Sequence, residues 1–312
     1  MKAILIHQFG DAGQLKYEDT AKPEINADEV LIKIYATSIN PVDWKVREGH
    51  MPGAEKRKFP IILGWDVSGV VESAGENVRG FKPGDEVYSR PNVSRNGTYA
   101  EYVAVNENEV ALKPKSIDHI HAAAVPLAGI TAWQGLFNHG KLEAGQKVLI
   151  HAAAGGVGTY AVQLAKWKGA YVIGTASEKN SSFLKDLGAD EVIDYKNEDF
   201  SEKLKDIDVV FDLVGGETQL KSLKVLKPGG ILVSTVGLKD EDAIKAKGIV
   251  GIQYMALSNP DHLNKLARLI DEGKFKITID EIFPLEKAAE AHKKSEEGHT
   301  RGKIVLKVTD HK

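Results

Sequence analysis

The stretch Lys147-Val148-Leu149-Ile150-His151-Ala152-Ala153-Ala154-Gly155-Gly156-Val157-Gly158 decides the fold. Its first half is a short apolar run of the kind that forms a buried strand, and its second half is a turn of small residues. Over 158–168 the apolar Ala161, Leu164, Ala165 and Trp167 fall on one face of a helix. A dinucleotide-binding turn needs small residues at three places: for the tight turn itself, for the approach of the pyrophosphate, and for close helix–strand packing. Ala153, Gly155 and Gly158 stand at those places, with alanine replacing the first glycine. Gly156 and Val157 lie between them, so that the helix N-terminus offers free N–H groups and a positive dipole end to a pyrophosphate. A glycine-rich turn alone also serves as a plain structural turn; its strand–turn–helix setting selects the dinucleotide reading.

Outward from this turn the chain alternates strand and helix. Candidate strands cover 147–152, 170–175, 191–194, 208–213, 231–235 and 249–253, with helices over 181–187 and 220–226. That alternation predicts a parallel, doubly wound sheet with a ligand crevice at the strand carboxyl ends. Upstream the texture differs. Short runs over 3–7, 30–38, 66–73, 85–89 and 98–105 are separated by Gly64, Gly75, Gly80 and Pro83-Gly84, as in a compact β-rich domain. Downstream come a helix over 261–272 and a closing strand over 302–308. The fold class read from this is α/β in two domains: a β-rich domain over 1–122, a dinucleotide domain over 123–257, and a return of the chain to the first domain over 258–312.

The second strand of the dinucleotide domain bears on cofactor choice. NAD-binding folds place an acid at its end to hold the ribose diol. Here Tyr171-Val172-Ile173-Gly174-Thr175 runs into Ala176-Ser177-Glu178-Lys179-Asn180, and the first acid, Glu178, is already in the loop. A hydroxyl at Ser177 and a cation at Lys179 suit the 2′-phosphate of NADPH, although Glu178 and Lys179 also read as solvated loop charges.

Composition narrows the chemistry. The chain of 312 residues contains no cysteine, which removes disulfides, thiolate nucleophiles, iron–sulfur clusters and cysteine-based zinc sites. A net charge of −3 gives no reason to expect nucleic acid or an acidic membrane surface as a partner. No apolar run approaches the roughly 18 residues of a membrane span. The opening Met1-Lys2-Ala3-Ile4-Leu5-Ile6 is too short for a signal peptide, so a cytoplasmic enzyme is expected.

Several stretches together resemble one family: Asn40-Pro41-Val42-Asp43-Trp44-Lys45, Gly64-Trp65-Asp66-Val67-Ser68-Gly69-Val70-Val71, Pro126-Leu127-Ala128-Gly129-Ile130-Thr131-Ala132-Trp133, the 153–158 turn, Leu187-Gly188-Ala189-Asp190-Glu191-Val192-Ile193-Asp194-Tyr195, Leu226-Lys227-Pro228-Gly229-Gly230 and Arg301-Gly302-Lys303. In this order, over nearly the whole chain, they resemble the quinone-oxidoreductase branch of the medium-chain dehydrogenase/reductase superfamily. The resemblance implies a GroES-like catalytic domain beside a Rossmann domain, NADPH as cofactor, and reduction of quinones or α,β-unsaturated carbonyls. It also implies site residues. Asn40 and Lys45 take family positions near the nicotinamide, although a turn-capping asparagine and a surface lysine are the plainer readings. Thr131 is placed at a helix start against the nicotinamide or pyrophosphate, Tyr195 beside the 2′-phosphate, and Arg301 within reach of the cofactor. Asp43 reads as a turn acid, and Tyr99 and Tyr254 as packing residues rather than proton donors.

The zinc-dependent alcohol dehydrogenases of the same superfamily hold catalytic zinc with a cysteine near the position of Asn40 and a histidine where Trp65 stands. Both are missing. Without a Lewis acid, an already electrophilic C=C or quinone is the fitting hydride acceptor. A homodimer is expected, because an apolar last strand over 249–253 would otherwise leave a sheet edge open. Two rivals stand beside this reading: an enoyl-thioester reductase, and a largely non-catalytic NADPH-binding protein of sensor or crystallin type.

Overall fold

The computed structural model describes residues 1–309, which divide into two compact units, 1–128 with 257–309, and 129–256. The first unit opens with β1 (Lys2–Ile6), β2 (Lys16–Asp19), β3 (Glu29–Ser38), helix α1 (Pro41–Arg47), β4 (Ile61–Ile62), β5 (Val67–Ala74), β6 (Glu86–Ser89), β7 (Tyr102–Asn106), β8 (Val110–Leu112) and helix α2 (His119–Ala123). Alternate residues of β3, namely Val30, Ile32 and Ile34, share a core with Val67, Val71, Val87, Val103 and Val105. This is the two-residue period of a strand with one face on a core. The 98–105 run proves to be two pieces. Tyr102–Asn106 pairs with β3, whereas Tyr99 bonds to Leu63 and Ile4 beside β1. The run bends because Tyr99 and Val103 belong to different cores.

Helix α3 (Pro126–Trp133) contains the division between the units. The second unit then continues as β9 (Lys147–Ile150), α4 (Gly156–Lys168), β10 (Tyr171–Ala176), α5 (Ser181–Asp186), β11 (Glu191–Asp194), α6 (Phe200–Lys203), β12 (Ile207–Asp212), α7 (Gly216–Ser222), β13 (Leu226–Ser234), α8 (Glu241–Ala246) and β14 (Val250–Gln253). Its six strands run in the order β11-β10-β9-β12-β13-β14, and every neighbouring pair is parallel. The order reverses between β9 and β12, which is where doubly wound sheets open their ligand crevice.

One helix differs from the sequence expectation. The 220–226 helix lies earlier, at Gly216–Ser222, and Leu226 opens β13 opposite Ile207. Leu220, Leu223 and Leu226 have helical spacing, but burial of Leu226 against the sheet takes precedence over that local pattern.

The chain returns to the first unit through α9 (Pro260–Asp271), β15 (Ile279–Pro284), α10 (Ala288–Glu296) and β16 (Lys303–Lys307). Strand β16 pairs antiparallel with β3, setting Val305 opposite Ser38. Among the described residues, no helix is long and apolar enough to cross a membrane.

Candidate functional site

In the second unit, β9 runs through His151 into a turn that the structure holds tightly. Ala152 adopts φ +51°, a left-handed conformation uncommon for a residue with a side chain. The Ala153 N–H donates to the Thr175 carbonyl at 3.0 Å and the Gly155 N–H to the Ala152 carbonyl at 3.0 Å. A Cβ on Gly158 would lie 2.4 Å from the Ala152 carbonyl oxygen and 2.6 Å from that of Ala153, so only glycine lets α4 start this close to the turn. Opposite the turn, a Cβ on Gly174 of β10 would sit 2.9 Å from that of Ala153. Gly174 therefore supplies the space that alanine at the first fingerprint place requires, a partnership absent from the linear motif. The cap residue Gly155 contributes no side chain to the first turn of the 13-residue α4, leaving its N–H groups uncapped for an anion.

Beneath this cradle, His151 is wholly buried, with Nδ1 3.1 Å from Thr175 Oγ1 and Nε2 2.8 Å from Ser222 Oγ. Burial lowers its pKa to about 4, so it stays neutral and ties the turn to β10 and α7. At the end of β12, buried Asp212 accepts from the N–H groups of Val214 (3.0 Å) and Gly215 (2.8 Å) and from Gln219 Nε2 (2.7 Å) and Ser234 Oγ (3.0 Å). Gln219 reaches on to the Gly237 carbonyl at 2.7 Å and accepts from the Lys239 N–H at 2.7 Å. One carboxylate and one amide thus fix the loops that follow β12 and β13.

At the ends of β10 and β11 three predicted residues come together. Ala176 is buried, and its carbonyl accepts from the Tyr195 N–H at 3.2 Å. Ser177 follows Ala176 and accepts at Oγ from Asn180 Nδ2 at 3.3 Å, Lys179 is exposed two residues on, and Tyr195, just past β11, is 54% exposed. Glu178 is exposed between Ser177 and Lys179, and Asp194 at the end of β11 is spent on its own loop, accepting from the Lys196 N–H at 3.2 Å and from Asn197 Nδ2 at 2.5 Å. Lys196, exposed next to Tyr195, is a second cation that sequence reasoning passed over.

In the first unit, Asn40 precedes α1, and its N–H donates to Asp43 Oδ2 at 2.7 Å. Its amide is held from both ends: Nδ2 donates to Asp66 Oδ2 at 2.7 Å, and Oδ1 accepts from Lys303 Nζ. The Asp66 carboxylate also accepts from Ser38 Oγ at 2.6 Å and from the Leu127 N–H at 2.6 Å, with Lys303 Nζ 3.3 Å away. Lys303 is 3% exposed and donates further to the Ile39 carbonyl at 2.8 Å. Of Arg301-Gly302-Lys303, then, it is the lysine that joins Asn40; Arg301 is half-buried, and its N–H donates to Asp280 Oδ1 at 3.2 Å. The signal for Lys303 was a lysine directly before the apolar Ile304, Val305 and Leu306 of the closing strand. Lys45 makes no hydrogen bond with this cluster among the described residues; its ammonium lies 5.5 Å from the Trp44 ring centroid.

Asp43 does more than shape a turn. Its Oδ2 accepts from Tyr99 Oη at 2.6 Å, Tyr99 Oη lies 3.1 Å from His292 Nε2, and His292 Nδ1 lies 3.1 Å from Arg47 Nη1. Arginine can only donate, so Nδ1 accepts, Nε2 carries the proton and donates to Tyr99, and the phenol donates to Asp43. Burial raises the Asp43 carboxyl to about 7 and lowers His292 to about 3. Tyr99 is committed to this chain and to the surrounding core. Thr131 is not at a helix start: it is buried in the sixth position of α3.

Two positions where the zinc-dependent alcohol dehydrogenases carry ligands hold Asn40 and Trp65 here. Trp65 is buried in the core that contains Tyr99 and Ile304, and its indole Nε1 is a donor without ligand capacity. Asn40 offers an amide where a thiolate would be needed. Among the described residues no three of His, Cys, Asp and Glu are grouped to hold a metal ion.

Residues 26–115 match the family described as alcohol dehydrogenase GroES-like domain, and residues 187–306 that described as zinc-binding dehydrogenase. The chain is 36% identical to the mitochondrial NAD(P)H oxidoreductase of Bos taurus, covering 99% of this chain and 89% of that protein. It is 39% identical to the chloroplastic NADPH-dependent alkenal/one oxidoreductase of Arabidopsis thaliana, covering 98% and 79%. The structure of a quinone oxidoreductase from Coxiella burnetii superposes with a TM-score of 0.94 at 40% identity, covering 99% of each chain. With the dinucleotide turn, the doubly wound sheet and the GroES-like unit in place, the chain belongs to the quinone-oxidoreductase branch of the medium-chain dehydrogenase/reductase superfamily.

Proposed function

We propose that this protein is an NADPH-dependent reductase of quinones or of the activated C=C of α,β-unsaturated carbonyls, working without zinc. The observation that carries the reading is the uncapped N-terminus of α4, closed by Gly158, with Ala176 instead of an acid at the end of β10. The names of the Arabidopsis and Coxiella relatives support the cofactor and the substrate class.

Bound NADPH supplies the hydride. The N–H groups of Gly156, Val157 and Gly158 receive the pyrophosphate in the turn set by Ala153 and Gly155. Ser177, Lys179 and Tyr195 hold the 2′-phosphate, Thr131 meets the nicotinamide side, and Arg301 adds a cation toward the cofactor. On the substrate, hydride arrival builds negative charge on oxygen, which needs a donor. Asn40 has one amide N–H committed to Asp66 and its Oδ1 to Lys303, so its second N–H is oriented and available as that donor. Lys45 contributes positive charge. Asp66 and Lys303 act on Asn40, holding the amide in one orientation. The same reading includes a homodimer built on β14, an edge strand whose Val250 is 49% exposed and which pairs on one side with β13.

NADPH oxidation with a panel of quinones and enals, in the presence of chelator and after elemental analysis, tests the proposal. Turnover without zinc is expected. Tight NADPH binding with no turnover of any acceptor would assign the chain a binding role instead. Light scattering at micromolar concentration tests the dimer, and a monomer would remove it.

A further inference from the structure

Arg90 is a buried cation with no carboxylate paired to it. Strand β6 ends at Ser89, and Pro91 restricts the residue before it to extended backbone, so Arg90 continues the line of the strand. The residue is 5% exposed. Among the described residues its guanidinium makes one hydrogen bond, from Nη1 to Ser258 Oγ at 3.2 Å, and Nε has no partner. Ser258 Oγ donates in turn to the Arg90 carbonyl, so one hydroxyl anchors both ends of the residue. A guanidinium presents Nε–H and one Nη2–H side by side, and this edge takes a carboxylate through two parallel bonds. Ser258 holds the other nitrogen, Nη1, and leaves that edge uncommitted.

The neighbouring acids are spent elsewhere. Where β5 pairs with β6, Val67 stands opposite Ser89 and Ser68 opposite Tyr88, so Asp66 and Arg90 flank the end of the pair. Asp66 already accepts from Ser38 Oγ, Asn40 Nδ2 and the Leu127 N–H, with Lys303 as its counter-charge. Half-buried Glu109 accepts from the Asn92 N–H at 3.2 Å. Both acids act on Arg90 through space, raising its pKa against the larger lowering by burial, and neither bonds to it. Arginine stays protonated at any working pH. Lys303 and Arg90 therefore bring two positive charges to the single Asp66 carboxylate. A buried charge without a partner is costly, and a ligand that carries the missing negative charge offsets that cost.

We propose that Arg90 binds a carboxylate on the substrate, so that the hydride acceptor is an α,β-unsaturated carbonyl compound that also carries an acid group. This rests on the reductase reading, and on Asn40, which Asp66 holds in the same unit, as donor to the reacting oxygen. The chemistry is otherwise unchanged: NADPH gives hydride to one carbon of the C=C, the other carbon gains a proton from solvent, and the carboxylate is not altered.

The test follows NADPH oxidation with 4-oxopent-2-enoate and with its methyl ester, which share one activated C=C and differ in charge. The ester is the more electrophilic of the two, so a preference for the acid has to come from binding. Wild type is expected to show kcat/KM about 10- to 100-fold higher for the acid, the effect of hydrogen bonds to a charged group. Arg90→Gln is expected to remove that advantage, with the ester and the Kd for NADPH each within about twofold of wild type. Arg90→Lys, which keeps the charge and lacks the fork, is expected to retain part of it. Because the charge is unpaired, Arg90→Gln is expected to leave Tm unchanged or higher. Equal use of acid and ester by wild type overturns the inference. A lower Tm with both substrates impaired alike marks a scaffold role and overturns it as well, and so does an effect confined to the Kd for NADPH, which assigns the charge to the cofactor. If neither compound is reduced, the reductase reading falls, and calorimetric binding of the saturated acid 4-oxopentanoate decides the site. A Kd about tenfold higher in Arg90→Gln than in wild type supports it; an equal Kd, or no binding to wild type, overturns it. If Arg90→Gln fails to fold, Arg90→Lys carries the comparison, with a loss selective for the acid expected.

Discussion

Gly158 and Lys179 mark two kinds of residue-scale evidence. At Gly158 the constraint is steric: valine would drive a side chain into the Ala152 and Ala153 carbonyls and push α4 off the turn. Gly158→Val is expected to abolish NADPH binding while leaving much of the circular dichroism of the fold; an unchanged Kd would show that this turn holds no dinucleotide. At Lys179 the constraint is electrostatic. The 2′-phosphate is all that separates the two cofactors, and a hydrogen bond to a charged group contributes about 1.5–3 kcal/mol, reduced at an exposed site by salt. Lys179→Ala is expected to lower kcat/KM for NADPH about tenfold and to leave NADH nearly unchanged. A preference that survives the substitution would move the determinant to Lys196 or Tyr195. The place of Ser177 and Lys179 just past the end of a strand was legible from sequence, because the apolar run before them is local. Lys303 and Asp66 were not, because their meeting with Asn40 joins residues 26 to 263 positions apart.

At the scale of elements, the loops after β12 and β13 depend on Asp212. Its substitution strands two backbone N–H groups, the Gln219 amide and the Ser234 hydroxyl around a buried void. Asp212→Ala is expected to cost about 3 kcal/mol, the penalty of buried donors left unpaired, and to lower the Tm of apo protein by about 5–10 °C in calorimetry. A fall under about 2 °C would mean that the loops hold without it. Strand–helix alternation in this half was readable because β9, β10 and β12 are short apolar runs between turn residues. The position of α7 was not, since three leucines at helical spacing were divided between a helix and the strand that buries Leu226.

For the whole molecule, acid sensitivity follows from three buried groups. His292 and His151, lowered to about 3 and about 4, bind fewer protons folded than unfolded, so their contribution is complete above about pH 6.5 and is lost as pH falls. Asp43, raised to about 7, binds more protons folded, so its contribution is complete below the ordinary carboxylate range and is lost as pH rises toward 7. Between pH 6.5 and 5 each group changes stability by about 2 kcal/mol, two in one direction and one in the other. Wild type is expected to lose about 2 kcal/mol over that interval and Asp43→Asn, which lacks the opposing gain, about 4 kcal/mol. Urea melts across the interval check this, and equal losses in the two proteins would show that Asp43 is ionised in the fold.

By itself the sequence determined what is local: a strand–turn–helix able to take a pyrophosphate, the missing thiolates and histidine of a zinc site, and a strand end without an acid. Each follows from neighbouring residues, whose geometry the backbone sets within a few positions. Only the tertiary structure decided which distant side chains satisfy one another. Asp66 has to find donors once it is buried, Gly174 has to yield to Ala153, and the Tyr254 hydroxyl has to find the Thr131 carbonyl, because a buried polar group without a partner and two atoms in one place are both forbidden. Those conditions act through space, and folding brings together residues that the order of the chain leaves far apart.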